Sequence, residues 1–530
     1  MKKYLLMAVA LMTSVAMFAD TGWQEDRRFT PVTAYSELSS IHTTVAADGS
    51  VYASSSITTE MSFAGKTLTP TAEGSTCVVK YDKDGNEIWA ILFSGSNALR
   101  AMTVDADGNL YVAGTVTGEK TEFIGTDGIS QTVINPTKYD EMWGETVVSG
   151  KAAYIVKITA DGVITAAHQE NPAGPDANYF GDARIIPNKI AVDNGKVYVS
   201  CFYNGAVEAL GWEGRYVTML DFDTFETMYF GDITGAGIFS VSSSDLTGPT
   251  NVANLKATTD ADMLDDNAIQ CAPDAFSFVA TGGMVGAAFI GWGKLTLSTP
   301  TQSRDFSFDM KGEGLNEHAL VLAMTSNIEN MSLVYHAEAQ DNSLPEYNLF
   351  GEMAGMNVIL SGTFSGQFPL DNTKYSKGAG EENKYKNASF LASISPMTST
   401  VKYSWVNDAE EESYTNGMIV TGEETHVGTE TAVYHFNTSE GTAKGSEPIG
   451  VLDAAQINDT YAAVVYTEQD KTDVRVWAIP MNEPSAVEAV EAAGTQAAAK
   501  YYTIDGMEIA APQKGISIVK TADGVKKIAK

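Results

Sequence analysis

A strand–turn–strand signal that returns along the chain constrains the fold more than any other feature of this sequence. Its clearest copy is VDADGNLYVAGT (104–115), in which an Asp-Gly turn separates two runs of apolar, strand-forming residues. The copies place an aromatic or aliphatic residue after the turn at Tyr52, Tyr111, Tyr198, Phe278, Ile359, Ile419 and Tyr461. A second hairpin signal follows each copy, for example at 77–90 and 215–230. Each unit therefore has about four strands, and we predict an all-β propeller of about seven four-stranded blades.

The segment Asp105 to Asn109 has a second interpretation, as a calcium-binding loop. A helix-flanked calcium loop requires Gly at its sixth position and a bidentate Glu at its twelfth. Counted from Asp105, Gly108 is fourth and Val116 is twelfth, and the flanking residues favour strands. We therefore predict a tight turn between strands and no metal ligand in this segment.

The first two units resemble bacterial propeller repeats of the SBBP type. That family has a Val-Asp-x-x-Gly-Asn-x-Tyr-Val-x-Gly core and a downstream Lys-x-x-x-x-Gly-x-x-x-Trp-Ala half. MTVDADGNLYVAGT (102–115) and CVVKYDKDGNEIWA (77–90) match these halves, and FSGQFPLDN (364–372) matches a further segment of the repeat. The resemblance covers 36–480 and weakens after residue 410. It implies a propeller fold and no single activity.

The N-terminus has the three parts of a secretory signal peptide. In MKKYLLMAVALMTSVAMFAD, the basic residues Lys2 and Lys3 precede an apolar stretch and then small residues, with cleavage expected after Ala16 or Ala19. We assign 1–19 to this signal and 20–484 to the propeller repeats. The mature protein is expected outside the cytoplasm, secreted or associated with the outer surface.

The C-terminus differs in composition from the repeats. An Ala- and Glu-rich linker (485–499) precedes a small β appendage (500–530) that resembles the C-terminal sorting segments of exported Bacteroidetes proteins. The matching positions are Tyr502, Gly506, Pro512, Lys514, Gly515, Ile518, Lys526 and Lys527. Ser517 stands where Tyr is usual, and the segment is short for that family. The resemblance implies recognition of 500–530 by a secretion machinery, and the alternative is an appendage without a sorting role.

Charge and hydropathy exclude several partners. The chain has 67 Asp and Glu against 34 Lys and Arg, and a formal net charge of −33 repels nucleic acid. No apolar run after the signal peptide is long enough to span a membrane as a helix. The thiols Cys77, Cys201 and Cys271 are far apart in strand-like contexts, and we expect them to be small buried hydrophobic residues.

No motif for catalysis, metal binding or cofactor binding occurs. AGKT (64–67) resembles the end of a phosphate loop, but Glu60 occupies the place of its first glycine. His426 and His435 lie nine residues apart on adjoining strand-like segments, the one histidine pair whose spacing permits a metal site. We predict no catalytic residue, no metal and no cofactor.

Long connections and open tryptophans suggest where a ligand binds. The connections between the second and third strands are long at 124–152, 291–318 and 370–388, and long loops on a rigid scaffold often carry binding sites. Trp143 lies in the first of these, and Trp212 and Trp292 are flanked by glycines at equivalent places in adjacent units. We predict that these three indoles bind a ligand, whereas Trp89, Trp405 and Trp477 lie in strand contexts typical of core.

Three functional hypotheses follow. The first is a secreted or surface-displayed propeller that binds a glycan or a protein without catalysis. The second is an extracellular polysaccharide-degrading enzyme on the same scaffold, and the third is a structural surface protein. Aromatic side chains open at one face favour binding, a cluster of His, Tyr, Arg or paired carboxylates favours the enzyme, and a covered face without a pocket favours structure.

The first prediction concerns export. The basic, apolar and small-residue segments of the N-terminus should direct cleavage, so the mature protein should lack its first 16 or 19 residues. Intact-mass measurement of protein isolated from culture medium or cell envelope tests this. A main species that retains Met1 would contradict it.

Overall fold

The computed structural model describes residues 42–529 in two units, and each unit is treated by itself. Omitted from the description are 72–73, 141–143, 173–182, 213–216, 221–226, 232–234, 258–274, 282–283, 292–293, 301–302, 308–318, 327–329, 339–345, 365–366, 371–372, 377–385, 408–411, 457–460, 469–473, 481–499, 503–507, 510–515 and 522–523. The first unit ends at Met481 and the second begins at Asn482. The expected signal peptide (1–19), the linker (485–499) and Cys271 therefore lie outside the described residues.

The described residues form β-strands joined by turns. The first strands are β1 (His42–Val45), β2 (Val51–Ile57), β3 (Met61–Phe63), β4 (Lys66–Leu68), β5 (Ser75–Tyr81), β6 (Glu87–Ser94), β7 (Asn97–Val104), β8 (Leu110–Val116), β9 (Lys120–Ile124), β10 (Ser130–Ile134), β11 (Thr137–Asp140), β12 (Glu145–Val148), β13 (Gly150–Lys151), β14 (Ala153–Ile158) and β15 (Ile164–Glu170). Next come β16 (Ala183–Asp193), β17 (Lys196–Asn204), β18 (Val217–Leu220), β19 (Thr227–Gly231), β20 (Gly235–Ser242), β21 (Thr250–Ala257), β22 (Ala275–Thr281), β23 (Met284–Gly291), β24 (Lys294–Ser298), β25 (Ser303–Ser307), β26 (Ala319–Ser326) and β27 (Asn330–Glu338). The remaining strands are β28 (Glu346–Ala354), β29 (Asn357–Phe364), β30 (Gln367–Leu370), β31 (Thr373–Ser376), β32 (Ala388–Ser395), β33 (Thr400–Val406), β34 (Thr415–Val420), β35 (Glu424–Thr429), β36 (Val433–Asn437), β37 (Ala443–Glu447), β38 (Ile449–Gln456), β39 (Tyr461–Glu468), β40 (Val474–Pro480), β41 (Lys500–Tyr502), β42 (Glu508–Ile509), β43 (Ile516–Thr521) and β44 (Gly524–Ala529).

One antiparallel sheet pattern repeats through the first unit. We number its sheets along the chain as β1-β2-β5-β6, β7-β8-β14-β15, β16-β17-β20-β21, β22-β23-β26-β27, β28-β29-β32-β33, β34-β35-β36-β37 and β38-β39-β40. The last of these has three strands among the described residues. The central strands of the first and second sheets are buried on both faces, since β2, β5 and β8 are rich in Val, Ala and Tyr, so a neighbouring sheet must cover each face.

The sheets follow one another in a ring. The first strand of each sheet packs against the first strand of the next, in the order β1, β7, β16, β22, β28, β34 and β38, and β38 packs against β1. Apolar clusters fill the spaces between successive sheets; the cluster around Val45 and Val79 includes Leu452 from the last sheet. This arrangement is a β-propeller, the fold class expected from the repeats.

Side chains from one sheet bond to turns of the next. Tyr52 Oη donates to the Gly108 carbonyl at 2.9 Å, and Lys80 Nζ and Trp89 Nε1 both donate to the Ala160 carbonyl at 3.0 Å. The second sheet repeats this, because Tyr111 Oη and Lys157 Nζ both donate to the carbonyl of Ser243 at 2.8 Å. The Tyr, Lys and Trp of the repeat are therefore residues that join neighbouring sheets.

A carboxyl side chain joins the last sheet to the first. Asp453 Oδ2 accepts a hydrogen bond from the Thr43 backbone N–H at 2.7 Å. Burial raises the pKa of Asp453 to about 7, while the bond from Thr43 opposes that rise.

The Asp-Gly segment is a turn, as predicted. Asp105 Oδ1 accepts hydrogen bonds from the backbone N–H groups of Asp107 and Asn109, and Oδ2 accepts from the Asn109 side chain and lies 3.0 Å from the Tyr111 hydroxyl oxygen. Gly108 has a φ of 79°, which a residue without a side chain adopts without strain. The turn joins β7 to β8, and Asp82 makes the same bonds to Asp84 and Asn86 in the turn after β5.

Three assignments within the repeat are wrong. Phe278 and Ile419 lie on first strands, β22 and β34, whereas their predicted counterparts Tyr52 and Tyr111 lie on second strands. The segment 215–230 contains a separate hairpin, β18–β19, and not the third and fourth strands of its sheet. The third and fourth strands of this sheet are β20 and β21, which pair with each other. Their apolar residues fill the space between the third and fourth sheets.

The second unit is a small antiparallel sheet. Its strands lie in the order β42-β41-β43-β44. Lys500 pairs with Lys520, and Ile516 pairs with Ala529. The β appendage expected at 500–530 is therefore a sheet of its own.

The glycine of the repeat segment LYVAGT has a steric function. Gly114 pairs with Tyr154, whose ring lies across it, and a Cβ at this position would be 2.3 Å from Tyr154 Oη and 2.5 Å from the Ala98 carbonyl oxygen. We expect Gly114→Ala to lower the free energy of unfolding by about 2–3 kcal/mol, because the buried ring and the strand must both shift. Chemical denaturation followed by tryptophan fluorescence measures this.

Gly422→Ala is the matched control. A Cβ at Gly422 would meet no atom within 4 Å, so its unfolding free energy should stay within about 1 kcal/mol of the parent. Equal denaturation midpoints for both variants would contradict the packing described at Gly114.

Candidate binding surface

The connection between the second and third strands of a sheet is where this propeller carries inserted hairpins. The second sheet has β9–β10 and β11–β12 in this connection, and the fourth and fifth sheets have β24–β25 and β30–β31. Two inserted strands extend a neighbouring sheet, since β9 pairs with β6 and β24 pairs with β21. These hairpins cover outer strand edges that would otherwise have unpaired backbone groups.

The insertion of the second sheet, 120–148, is firmly anchored. Asn135 is buried at its centre, where its Nδ2 atom donates to the carbonyls of Val116 and Gly118 at 2.8 and 2.7 Å. Its Oδ1 atom accepts from the Ala152 N–H at 2.7 Å. Both ends of the insertion are therefore fixed to the strands that flank it.

Large apolar side chains are exposed on this insertion. Ile129, Ile134 and Tyr139 are 59%, 55% and 62% exposed. Elsewhere in the described part of the chain, Met356 and Met397 are the most exposed large apolar residues, and both lie in short turns. Exposed apolar side chains on an anchored element are typical of a surface that binds another molecule. We call 120–148 the insertion surface.

The prediction of an open indole at Trp212 is wrong. Trp212 is 1% exposed and stacks on Tyr203 with ring centroids 5.0 Å apart. Its Nε1 atom donates to Asn251 Oδ1 at 3.1 Å, and the ring lies against Gly237, where a Cβ would be 2.4 Å from the indole. The indole is buried because Gly237 leaves room for it on the neighbouring strand, so Trp212 is a core residue of the third sheet.

The other predicted indoles have different outcomes. Trp143 belongs to the insertion surface by sequence, and both Trp143 and Trp292 lie outside the described residues. Trp89 is buried as predicted. Trp405 is partly buried between Tyr434 and Phe436, with 4.9 Å between ring centroids in each pair. Ile129, Ile134 and Tyr139 were not predicted as site residues, because nothing in the local sequence distinguishes them from buried strand residues such as Val133.

His426 and His435 are brought together in the sixth sheet. They are directly opposite on β35 and β36, and their Nδ1 atoms are 2.6 Å apart. This separation is that of one shared hydrogen bond between a donor and an acceptor imidazole. Burial, and then the charge of His435, lower the pKa of His426 to about 3, and burial lowers the pKa of His435.

Charged groups face the outer sides of this pair. Glu424 Oε2 is 3.8 Å from His426 Nε2, Glu447 Oε1 is 3.7 Å from His435 Nε2, and Lys444 pairs with Glu424. Within the described ranges, no three His, Cys, Asp or Glu side chains lie close enough together to hold a metal ion. The two buried thiols, Cys77 and Cys201, are free, and burial raises the pKa of each.

The histidine pair generates a prediction about acid stability. Each pKa is lower in the folded than in the unfolded state, so unfolding takes up protons and stability is lost as the pH falls from about 6.5 towards 3. Replacing both rings, His426→Leu/His435→Leu, removes this proton uptake. Between pH 6 and 4, the unfolding free energy of the double variant should fall less steeply than that of the parent, by about 1 kcal/mol per pH unit or more.

Chemical denaturation at a series of pH values measures the two slopes. Asp453 titrates with the opposite sign, since its raised pKa costs stability as the pH rises from about 4 to 7, but it is common to both proteins and cancels in the difference. Parallel stability curves for parent and variant would show that the pair does not control acid stability.

Comparisons with known proteins identify no family for this chain. No family model matches this chain, and no curated protein matches it. The propeller domain of Myceliophteria thermophila Cps50 (Swd1) is similar at 7% identity and a TM-score of 0.38, over 86% of this chain and 98% of that one. The Dos1 propeller is similar at 9% identity and a TM-score of 0.40, over 86% and 96%, and BamB from Moraxella catarrhalis at 12% and 0.33, over 80% and 96%. No helix among the described residues is long and apolar enough to cross a membrane.

Proposed function

We propose that this chain is an exported, seven-bladed propeller that binds a partner protein through its insertion surface and carries out no catalysis. The observation that supports this most directly is the exposure of Ile129, Ile134 and Tyr139 on an element whose base is fixed by buried hydrogen bonds. Such residues cost solubility when they remain in water, and a partner that covers them regains the hydrophobic free energy. The number of seven blades rests on the seven sheets whose first strands succeed one another.

The ordered backbone of the insertion favours binding without folding. The hairpin β9–β10 is hydrogen-bonded to β6, so it does not have to order when a partner arrives. Thr126 lies in the turn between β9 and β10 and makes two hydrogen bonds of 2.9 Å. Its N–H donates to the Gly162 carbonyl, and its hydroxyl donates to the Asp161 carbonyl. A preordered surface avoids most of the entropic cost of association.

Isoleucine exposure favours a protein as the partner. Branched aliphatic side chains have no planar face for a sugar ring, and they contribute most when another apolar surface excludes water from them. Tyr139 adds an aromatic group of the type enriched in protein interfaces. Trp143, in the same insertion, remains a proposed contact for a protein or a glycan, and Trp292 remains one in the fourth sheet.

Localisation outside the cytoplasm is also a proposal. It rests on the signal-like segment 1–19 and on the resemblance of 500–530 to sorting segments, which is compatible with the separate sheet formed by β41 to β44. Secretion machinery is therefore the proposed partner of the second unit. The partner of the insertion surface is a different protein, met outside the cytoplasm.

Site-specific photo-cross-linking tests the binding function. A photoreactive amino acid replaces Ile134 in one variant and Met397 in another, and each is irradiated in cells of the source organism. Met397 is 79% exposed in the short turn between β32 and β33, so it controls for exposure alone. We expect a discrete cross-linked protein from position 134 and none from position 397.

Two further results separate the alternatives. Exchange of Ile134 for Asp should remove the cross-link formed from a probe at Tyr139 without changing the melting temperature, because the exposed side chain does not support the core. Equal cross-links from 134 and 397, or none from either, would contradict a protein partner. Binding to a glycan array without any protein cross-link would assign the surface to glycan recognition instead.

A further inference from the structure

Basic side chains meet on the inner strands of the first three sheets. His42 begins β1, Arg100 lies in β7 and Arg184 lies in β16, and these strands pack in succession around the ring. Lys151 in β13 is paired in parallel register with Arg184. This concentration of positive charge is unusual in a chain whose carboxylates outnumber its Lys and Arg residues by 67 to 34.

Arg100 is displaced from the regular strand by a β-bulge. Leu99 pairs with Gly114 and Ala101 pairs with Ala113, so Arg100 is the extra residue between them. Asn188 occupies the same position in the third sheet, where its side chain donates to the Phe276 carbonyl of the fourth sheet. A bulge re-aims the side chain it carries, and at Arg100 that side chain is exposed.

The guanidinium group of Arg100 has no ion pair with a carboxylate within the described ranges. Partial burial and then the charge of Arg184 lower its pKa, with the Tyr154 hydroxyl opposing them. An exposed guanidinium without a carboxylate partner among the described residues can bind an anion from solution. The position therefore suits a negative charge that the described part of the protein does not itself provide.

His42 adds a polar atom at the same place. Burial and then the charge of Arg100 lower the pKa of His42 to about 4, so the ring is neutral at physiological pH. Its Nε2 atom is buried and has no hydrogen-bond partner among the described residues. A hydrogen bond from the other ring nitrogen to the Leu99 backbone opposes that fall in pKa and uses the single proton of the neutral ring, so Nε2 can donate to an anion only when the imidazole is protonated.

We propose that Arg100 is the centre of an oxyanion-binding site on the inner strands, with His42, Arg184 and Lys151 around it. The ligand class is a carboxylate or phosphate group, since the planar guanidinium binds either through two parallel hydrogen bonds. Arg184 and Lys151 have other contacts and contribute positive potential. The site lies on the first strands and is separate from the insertion surface, so it does not depend on the proposed partner there.

Calorimetric titration of the mature protein with inorganic phosphate and with glutarate tests the site. Arg100→Gln should weaken binding of the bound anion at least tenfold. Lys66→Gln is the matched control, because Lys66 is exposed on β4 and its exchange changes the net charge equally. We expect the control to bind the anion as tightly as the parent does. Arg100→Lys should recover only part of the lost affinity, because an ammonium group lacks the two parallel N–H donors of the guanidinium.

The two titrants distinguish the sources of the anion. Saturable binding of phosphate alone points to a phosphorylated ligand, and binding of glutarate alone points to an acidic side chain or chain terminus. Melting temperatures without ligand show that Arg100→Gln is folded. Absence of saturable binding to the parent, equal affinity of parent and Arg100→Gln, or equal losses in Arg100→Gln and Lys66→Gln would each overturn the proposal.

Discussion

The fold depends on how one sheet is fixed to the next, because the main-chain hydrogen bonds of each repeated sheet are largely used within it. Packing between sheets is non-directional, so it sets their separation better than their register. Register comes from Tyr52, Lys80 and Trp89, whose polar atoms reach turn carbonyls of the second sheet. Lys80 also lies over the Tyr52 ring, with its Nζ atom 5.2 Å from the centroid, which adds a cation–π contact between adjacent strands.

These bonds explain why the sequence signal was clear at the start of the chain and weak later. The second sheet retains both donors as Tyr111 and Lys157, but in the third sheet the partner of Tyr198 is Ser240. Once the lysine is absent, a hairpin such as 215–230 matches the pattern as well as the true third and fourth strands do. Phe278 and Ile419 were displaced by one strand for the same reason, since apolar alternation alone does not distinguish a first strand from a second.

The candidate site was less accessible to sequence reasoning than the fold. The burial of Trp212 depends on Gly237, a residue of another strand, and no local pattern reports that contact. Similarly, Ile134 directly follows the buried Val133, and the local sequence does not show which of the two faces solvent; β10 is the outermost strand of its sheet, and Ile134 lies on its exposed face. The turn at Asp105 was predictable because all of its determinants lie within five residues. Contacts between sheets have no such local determinant.

The direction of the side-chain bonds between sheets has a consequence for biosynthesis. Because Tyr52, Lys80 and Trp89 bond forward to the second sheet, a ribosome-bound chain that has completed only its first sheet carries donors whose acceptors have not yet been made. Each sheet is then stabilised by its successor as the successor leaves the ribosome, so assembly proceeds with the order of translation. The bond between Thr43 and Asp453 reverses this order, since it joins a donor made first to an acceptor made near the end. The ring can therefore close only when almost the whole propeller has been synthesised.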